Sequence, residues 1–296
     1  METTVKDMRL SPTSVLCYLR NPREFYYKYV CRMQTPTSKH MIKGSVVHRV
    51  LEKFFILAFK PDMDSHMEEI FVKVWKEFDE EWSTLPLTDE ESLKEKEDCM
   101  NQIQLFLRTF RIKMDGLKQA GKAENDRHAF YLLKPKLKEM WVDDKDLNVG
   151  GYIDRIHTDF DGWVTVGDYK TSSRFGIGTK KDYIIQCGIY AYLYQRRFDR
   201  VPDFVSVIYL RYGDEVSVMV TPELVKFATD KVKYVRERIQ TEDIEDYPRN
   251  ESDRFFSFQE MDAGIMAIKD DARRKRVIAE LKAKAIKEKI TRKKRK

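Results

Sequence analysis

An α/β fold, with a mixed central sheet flanked by helices, is what this sequence predicts, and three observations carry the prediction. Amphipathic helical patterns and short strand-like segments follow one another in the order helix, strands, helix, strands, helix. Asp161-Gly162 is a hairpin turn signal, and the segment after it, Trp163-Val164-Thr165-Val166, crowds β-branched and aromatic residues as strands do. The stretch from Gly44 to Phe59 places Val46, Val47, Val50, Leu51, Phe54 and Phe55 on one helical face.

The remaining elements follow in order. Ser11-Pro12-Thr13-Ser14 combines a hydroxyl cap with a proline in the first turn, which starts a helix through Leu19 that Asn21-Pro22 interrupts. Arg23 to Tyr29 then interleaves aromatics with charge. Such a helix either packs its rings in a core or offers them to bases, so Arg23 and Tyr26 are candidate substrate contacts. From Asp64 to about Gln119 the chain is charged and helix-favouring with one clear break at Leu85-Pro86, and reads as a helical insertion or lid at about 61–125. Strands are predicted at Ala129–Leu133, Glu139–Val142, Leu147–His157 and Gly162–Lys170. A helix follows at Asp182–Arg197, then strands at Phe204–Arg211 and Glu215–Val220, and a helix from Pro222 to about Gln240. With no repeat and no Gly/Ser linker, residues 1–263 read as one domain and 264–296 as a basic helical tail.

Composition narrows the function classes. A chain of 296 residues with 42% apolar content buries a sizeable core. The longest apolar run, Phe54 to Phe59, has 6 residues, far below the roughly 20 of a spanning helix. The start, with Glu2, Lys6, Asp7 and Arg9, does not resemble a secretory leader, so no membrane and a cytoplasmic, nucleoid-associated location are expected. Cys17, Cys31, Cys99 and Cys187 form no C-x-x-C pair and read as free buried thiols. The net charge of +6 is uneven: residues 264–296 hold 14 Lys/Arg against 4 Asp/Glu, and the rest of the chain is near −4. A basic arm of this kind either meets nucleic acid or forms a solvated helix.

The chemistry concentrates around Gly167-Asp168-Tyr169-Lys170-Thr171. On a strand, Asp168 and Lys170 project to one face and Tyr169 to the other, and Asp154 on the other arm of the hairpin closes the same site. Two carboxylates offer hard oxygen donors to Mg²⁺, and a lysine beside them stabilises charge on phosphorus or holds the attacking water. That combination suits phosphodiester hydrolysis. Alone, an Asp-x-Lys tripeptide is equally a surface ion pair. His157 lies three residues from Asp154 and falls on the opposite strand face, so it is excluded. Glu52, one turn beyond His48, is a weaker candidate, and His40, His66 and His128 read as surface residues.

The ordered set Gly44-x-x-x-His48, Gly151-x-x-Asp154-Arg155, Asp168-Tyr169-Lys170-Thr171 and Gln186-x-x-x-Tyr190 resembles the RecB-like exonuclease branch of the PD-(D/E)XK nuclease superfamily. Leu10 to Ser14 and Asn21 to Tyr26 are similar to that branch's opening motif, and the resemblance covers roughly residues 10–60 and 129–250. It implies a restriction-endonuclease-like core and a metal-dependent DNA nuclease using Mg²⁺ or Mn²⁺. His48, Asp154, Asp168 and the Tyr169 carbonyl are then metal ligands, Lys170 is the catalytic lysine, and Gln186 and Tyr190 position the substrate strand or the lysine. The implied partner is DNA, as single strands or ends, in replication, recombination or repair, and the resemblance allows a helicase or recombination partner.

Many members of the branch hold an iron–sulfur cluster with one N-terminal and three C-terminal cysteines. Here Asn21 stands at the first position and Tyr247 to Met261 contains no cysteine, so no cluster is expected. A non-catalytic nucleic-acid-binding or scaffolding subunit and a structure-specific endonuclease remain the alternatives.

Overall fold

In a computed structural model describing residues 4–35, 37–172, 181–254 and 256–293, the helices and strands fall as follows. First come α1 (Pro12–Arg20), α2 (Pro22–Phe25), a π-helical turn (Tyr26–Val30), α3 (Lys39–Ile56), α4 (Met63–Glu77), α5 (Asp79–Ser83), α6 (Asp89–Gln119) and α7 (Asp126–Leu133). Strands β1 (Leu137–Asp144), β2 (Val149–Thr158) and β3 (Val164–Lys170) lead into α8 (Lys181–Phe198). Then β4 (Phe204–Tyr209), β5 (Asp214–Met219), α9 (Pro222–Arg238), a 3-10 turn (Ile244–Asp246), α10 (Gln259–Met266) and α11 (Asp271–Lys293) complete the order. No helix is long and apolar enough to cross a membrane among the described residues.

The chain divides into two compact units where the sequence suggested one domain and a tail. One comprises Met1–Pro36, Lys145–Val149 and Asp230–Lys296; the other comprises Thr37–Asp144 and Gly150–Thr229. The expected boundary at residue 263 falls inside α10, and both C-terminal helices lie in the first unit. Asp262 of α10 is 1% exposed and accepts hydrogen bonds from Arg23 Nη1 at 2.9 Å and Tyr27 Oη at 2.8 Å. The basic tail is two helices: Asp270 Oδ1 accepts the Arg273 N–H at 2.6 Å and caps α11, ending the continuous helix the composition suggested.

Within this first unit, Ser11 and Ser14 cap α1 reciprocally, and the Asn21 side chain accepts the Arg23 N–H at 3.2 Å to start α2. Arg23 and Tyr26 are 5% and 1% exposed. Arg23 Nε also donates to the Tyr247 carbonyl at 2.7 Å, and Tyr26 packs 5.1 Å from the Tyr247 ring. Both residues are engaged inside the unit, whereas the sequence reading has them contact substrate. The aromatic helix follows the core alternative.

The second unit is built on a five-stranded mixed sheet in the order β1-β2-β3-β4-β5. β2 and β3 are antiparallel, β3 and β4 parallel, β4 and β5 antiparallel. The parallel step requires a crossover, and α8 supplies it. The charged region read as an insertion or lid instead completes the core. Phe54, Phe55, Phe106, Phe110 and Phe130 from the helices pack in one buried cluster with Tyr169, Ile208 and Leu210 from the sheet. Lys43 of α3, 6% exposed, pairs with Glu95 at 2.5 Å and with Asp98, fastening α3 to α6.

Two local expectations change. The segment Ala129–Leu133 is helical, because the Asn125 side chain accepts the His128 N–H at 2.9 Å and Ala129 and Phe130 turn into the aromatic cluster. His66, expected at the surface, is 5% exposed within α4. The crossover helix also depends on one bare backbone position: an alanine methyl at Gly188 would lie 2.5 Å from Ala228 Cβ and 3.0 Å from the Leu224 carbonyl. Gly188→Ala is expected to lower stability by about 1–3 kcal/mol through overpacking of α8 against α9, measured as a shift of the urea midpoint.

Candidate active site

The site lies where β2 and β3 cease to pair. Their register runs from Thr158↔Val164 to Arg155↔Gly167, while β3 stays paired with β4 through Lys170↔Tyr209. Beyond the last pair, the Tyr169 N–H donates to Asp154 Oδ2 at 2.8 Å, so a side chain takes the place of a backbone acceptor. Asp154 is thereby fixed beside the end of β3.

His48 reaches this point from α3. Its Nε2 lies 2.9 Å from the Tyr169 carbonyl, and since a carbonyl only accepts, Nε2 carries the proton. Nδ1 then faces the carboxylates, 3.5 Å from Asp154 Oδ2 and 3.9 Å from Glu139 Oε1. An imidazole that donates one N–H to a backbone carbonyl and turns the other nitrogen to carboxylates has the outer hydrogen bond typical of a metal-ligating histidine. Donor atoms of His48, Glu139 and Asp154 all lie within 4.8 Å of one another. One nitrogen and several carboxylate oxygens fit a divalent ion such as Mg²⁺ or Mn²⁺. The Tyr169 carbonyl, expected as a ligand, lies beside this cluster and accepts from His48 Nε2.

Asp168 and Lys170 stand next to this cluster. Lys170 Nζ lies 2.6 Å from Asp168 Oδ2 as a close ion pair. Gln186 Nε2 lies 3.3 Å from both Asp168 Oδ1 and Tyr190 Oη. The sequence reading has Gln186 and Tyr190 position the substrate strand or the lysine; here they are 8% and 7% exposed, and Gln186 links Asp168 to Tyr190.

Charge is tightly balanced here. Burial pulls His48 down, but Asp154, with Asp168 and Glu139 behind it, outweighs burial and pushes the imidazole up to about 9. Burial, then the neighbouring Asp154, pushes Glu139 up to about 7. Burial would raise Asp154, yet His48 and the Tyr169 N–H hold it below the usual carboxylate range. For Asp168, burial and Asp154 prevail over Lys170 and raise the carboxyl. Burial would lower Lys170, and Asp168 reverses this and raises it. A cation placed among these carboxylates relieves their mutual repulsion.

Glu139 was not legible in the sequence. It sits in β1 at φ +46°, a left-handed conformation uncommon for a non-glycine residue and out of keeping with the strand pattern around it. The available signal was an acid on the strand preceding the Asp154 arm. Glu52 lines the small cavity beside His48 and Glu139 but pairs with Arg49 at 2.7 Å.

His157 is 8% exposed, and Nδ1 has no hydrogen-bond partner among the described residues. Burial, with Arg155 adding, pushes it down to about 4, against opposing pulls from Glu215 and Asp159. The neutral ring is therefore the folded form. Below an unfolded pKa of about 6.5 the unfolded chain binds the proton first, so stability falls as pH drops toward 4. Between pH 7 and pH 5 the loss from this group is expected to be about 2 kcal/mol, read as the extra pH dependence of wild-type urea midpoints over those of His157→Phe.

The sequence model of the PD-(D/E)XK nuclease superfamily matches residues 9–276. The chain belongs to this superfamily. A comparison with the curated proteins gives no significant match. Among solved structures, 22 chains match. One is a candidate exonuclease from Eubacterium rectale, 13% identical over 78% of this chain and 79% of its own, with a TM-score of 0.47. Nucleases of the superfamily use divalent metals, and the His48, Glu139 and Asp154 donors provide a candidate site for one.

Proposed function

We propose that this PD-(D/E)XK nuclease is a metal-dependent deoxyribonuclease of RecB-like exonuclease type, acting on single strands or DNA ends. The observation that carries the reading is the convergence of His48 Nδ1, Glu139 and Asp154 within 4.8 Å, beside the Asp168–Lys170 pair on β3. His48, Asp154 and Asp168 would hold Mg²⁺ or Mn²⁺, with Glu139 as a further donor and the Tyr169 carbonyl orienting the imidazole. Such an ion supplies Lewis-acid charge at the phosphoryl oxygens and lowers the pKa of water.

The chain's own groups do the rest. Hydrolysis forms a bond from water oxygen to phosphorus as the P–O ester bond breaks, and negative charge builds on the phosphoryl and leaving oxygens. Lys170, kept charged by Asp168, donates toward that charge or holds the attacking water. Gln186 and Tyr190 keep Asp168 in place, so the lysine and the carboxylate cannot drift apart.

Glu139→Gln is expected to weaken Mn²⁺ binding by about 10- to 100-fold in calorimetric titration while leaving the fold intact. Unchanged affinity would remove Glu139 from the donor set. The reading as an exonuclease is tested by product analysis on circular and linear DNA, each single- and double-stranded. Release of mononucleotides or short oligonucleotides from linear DNA only is expected; cleavage of circles would make the protein an endonuclease.

A further inference from the structure

Next to the proposed metal site the second unit displays two large aromatic side chains, Trp141 on β1 and Tyr152 on β2, which are 42% and 56% exposed. Single exposed aromatics are ordinary on a protein surface and need no explanation. This pair differs in three ways. The rings touch, with centroids 5.0 Å apart and planes inclined by 63°. Each residue lies two positions from a candidate metal donor, Trp141 from Glu139 and Tyr152 from Asp154. Beneath Trp141 the strand is kept bare: a methyl group at Gly150 would lie 2.9 Å from Trp141 Cζ2 and 2.8 Å from Asp143 Cβ.

These contacts fix the arrangement. His48 Nδ1 approaches both Glu139 and Asp154, so those two side chains meet at the imidazole. The Trp141–Tyr152 contact and the approach of Asp143 to Gly150 join β1 and β2 further along. Two residues of regular strand advance about 7 Å, within the span of one nucleotide, and Tyr152 stands two residues from Asp154 on β2. The half-exposed rings offer π-faces on which a flat group can stack. The site next door requires a phosphodiester, and the flat group attached one nucleotide along from a phosphodiester is a base.

We propose that Trp141 and Tyr152 form a stacking seat for a base of single-stranded nucleic acid, adjoining the phosphodiester held at the His48–Asp154–Asp168 site. The inference rests on the nuclease reading above and adds a substrate preference to it. Stacking accepts any base, because every base presents a π-face, but it requires the base to be unpaired. The seat therefore favours single strands and frayed ends over intact duplex, with little preference for sequence.

The test measures binding of a fluorescein-labelled oligothymidylate by anisotropy, with Ca²⁺ in place of Mg²⁺, alongside cleavage kinetics in Mn²⁺. Trp141→Ala and Tyr152→Ala are each expected to weaken oligothymidylate binding about tenfold. KM should rise correspondingly, kcat should stay within about threefold of wild type, and Trp141→Phe should restore most of the affinity. A strand of the same length made of abasic residues supplies the second readout. It should bind wild type and the alanine variants alike, since the seat then has nothing to stack.

Affinities of the alanine variants within twofold of wild type for oligothymidylate, while wild type cleaves it, would overturn the seat and leave the nuclease reading standing. An equal loss on blunt duplex and on abasic strand would overturn it too, since the aromatics would then be supporting the fold. If wild type neither binds nor cleaves any nucleic acid, the nuclease reading itself fails and the seat with it.

Discussion

Lys170→Ala is expected to reduce DNA cleavage by about 10³-fold, while Mn²⁺ binding changes by no more than a few-fold. The lysine faces Asp168 at 2.6 Å, in position to meet charge that develops on the phosphate and is absent from the ground state. Removing one preorganised donor to such charge typically costs 10²- to 10³-fold in rate. Loss of Lys170 also strips Asp168, 4% exposed, of its counter-charge, so the carboxyl rises further and the bound metal sees a weaker anion. The two contributions act together, which puts the expected loss at the upper end of the range. Lys170→Arg should recover little, because a planar guanidinium does not occupy the place of a compact ammonium. Near-wild-type turnover by Lys170→Ala in a protein that melts normally would remove the lysine from the chemistry.

Asp168→Asn is expected to abolish metal-supported cleavage, below about one part in 10³ of the wild-type rate, and to weaken Mn²⁺ binding by at least about 100-fold. The amide keeps the shape and still accepts from Gln186 at Oδ1, so the fold around β3 and α8 should persist. What disappears is a formal charge in a buried setting. Lys170 then stands buried without its carboxylate, and its pKa falls toward and below the ordinary lysine value. Calorimetry separates this outcome from that of Lys170→Ala: one substitution removes metal affinity and the other spares it. A shared loss of both properties in both variants would mean that the pair is only a structural ion pair.

The α/β class, the hairpin and the crossover helix were legible because their signals are local: turn chemistry at Asp161-Gly162, β-branched crowding in Val164 to Val166, and the helical period of α3. The same period placed His48 on a helix, and strand alternation placed Asp168 and Lys170 together. What the sequence withheld depends on contacts between distant segments. Ala129 to Leu133 is too short for its apolar content to tell strand from helix, and the Asn125 cap decided the matter. Arg23 carries a phosphate-binder's side chain, but an acid 239 residues away in the chain, Asp262, claims it in the interior. The division into two units was equally hidden, since no composition change marks residues 37, 145 or 230. Glu139 lies in an ordinary strand sequence, which marks neither its left-handed backbone nor its approach to His48.

Central to the proposed chemistry is a divalent metal and Asp168 acting together on a phosphodiester. Its most direct measurement is digestion of a 5′-end-labelled single-stranded oligonucleotide by wild type and by Asp168→Asn, each in Mn²⁺ and in EDTA. Degradation by wild type in Mn²⁺ alone, with neither EDTA nor Asp168→Asn permitting cleavage, is the expected result. An intact label with wild type in every divalent metal, or equal degradation by Asp168→Asn, would contradict it.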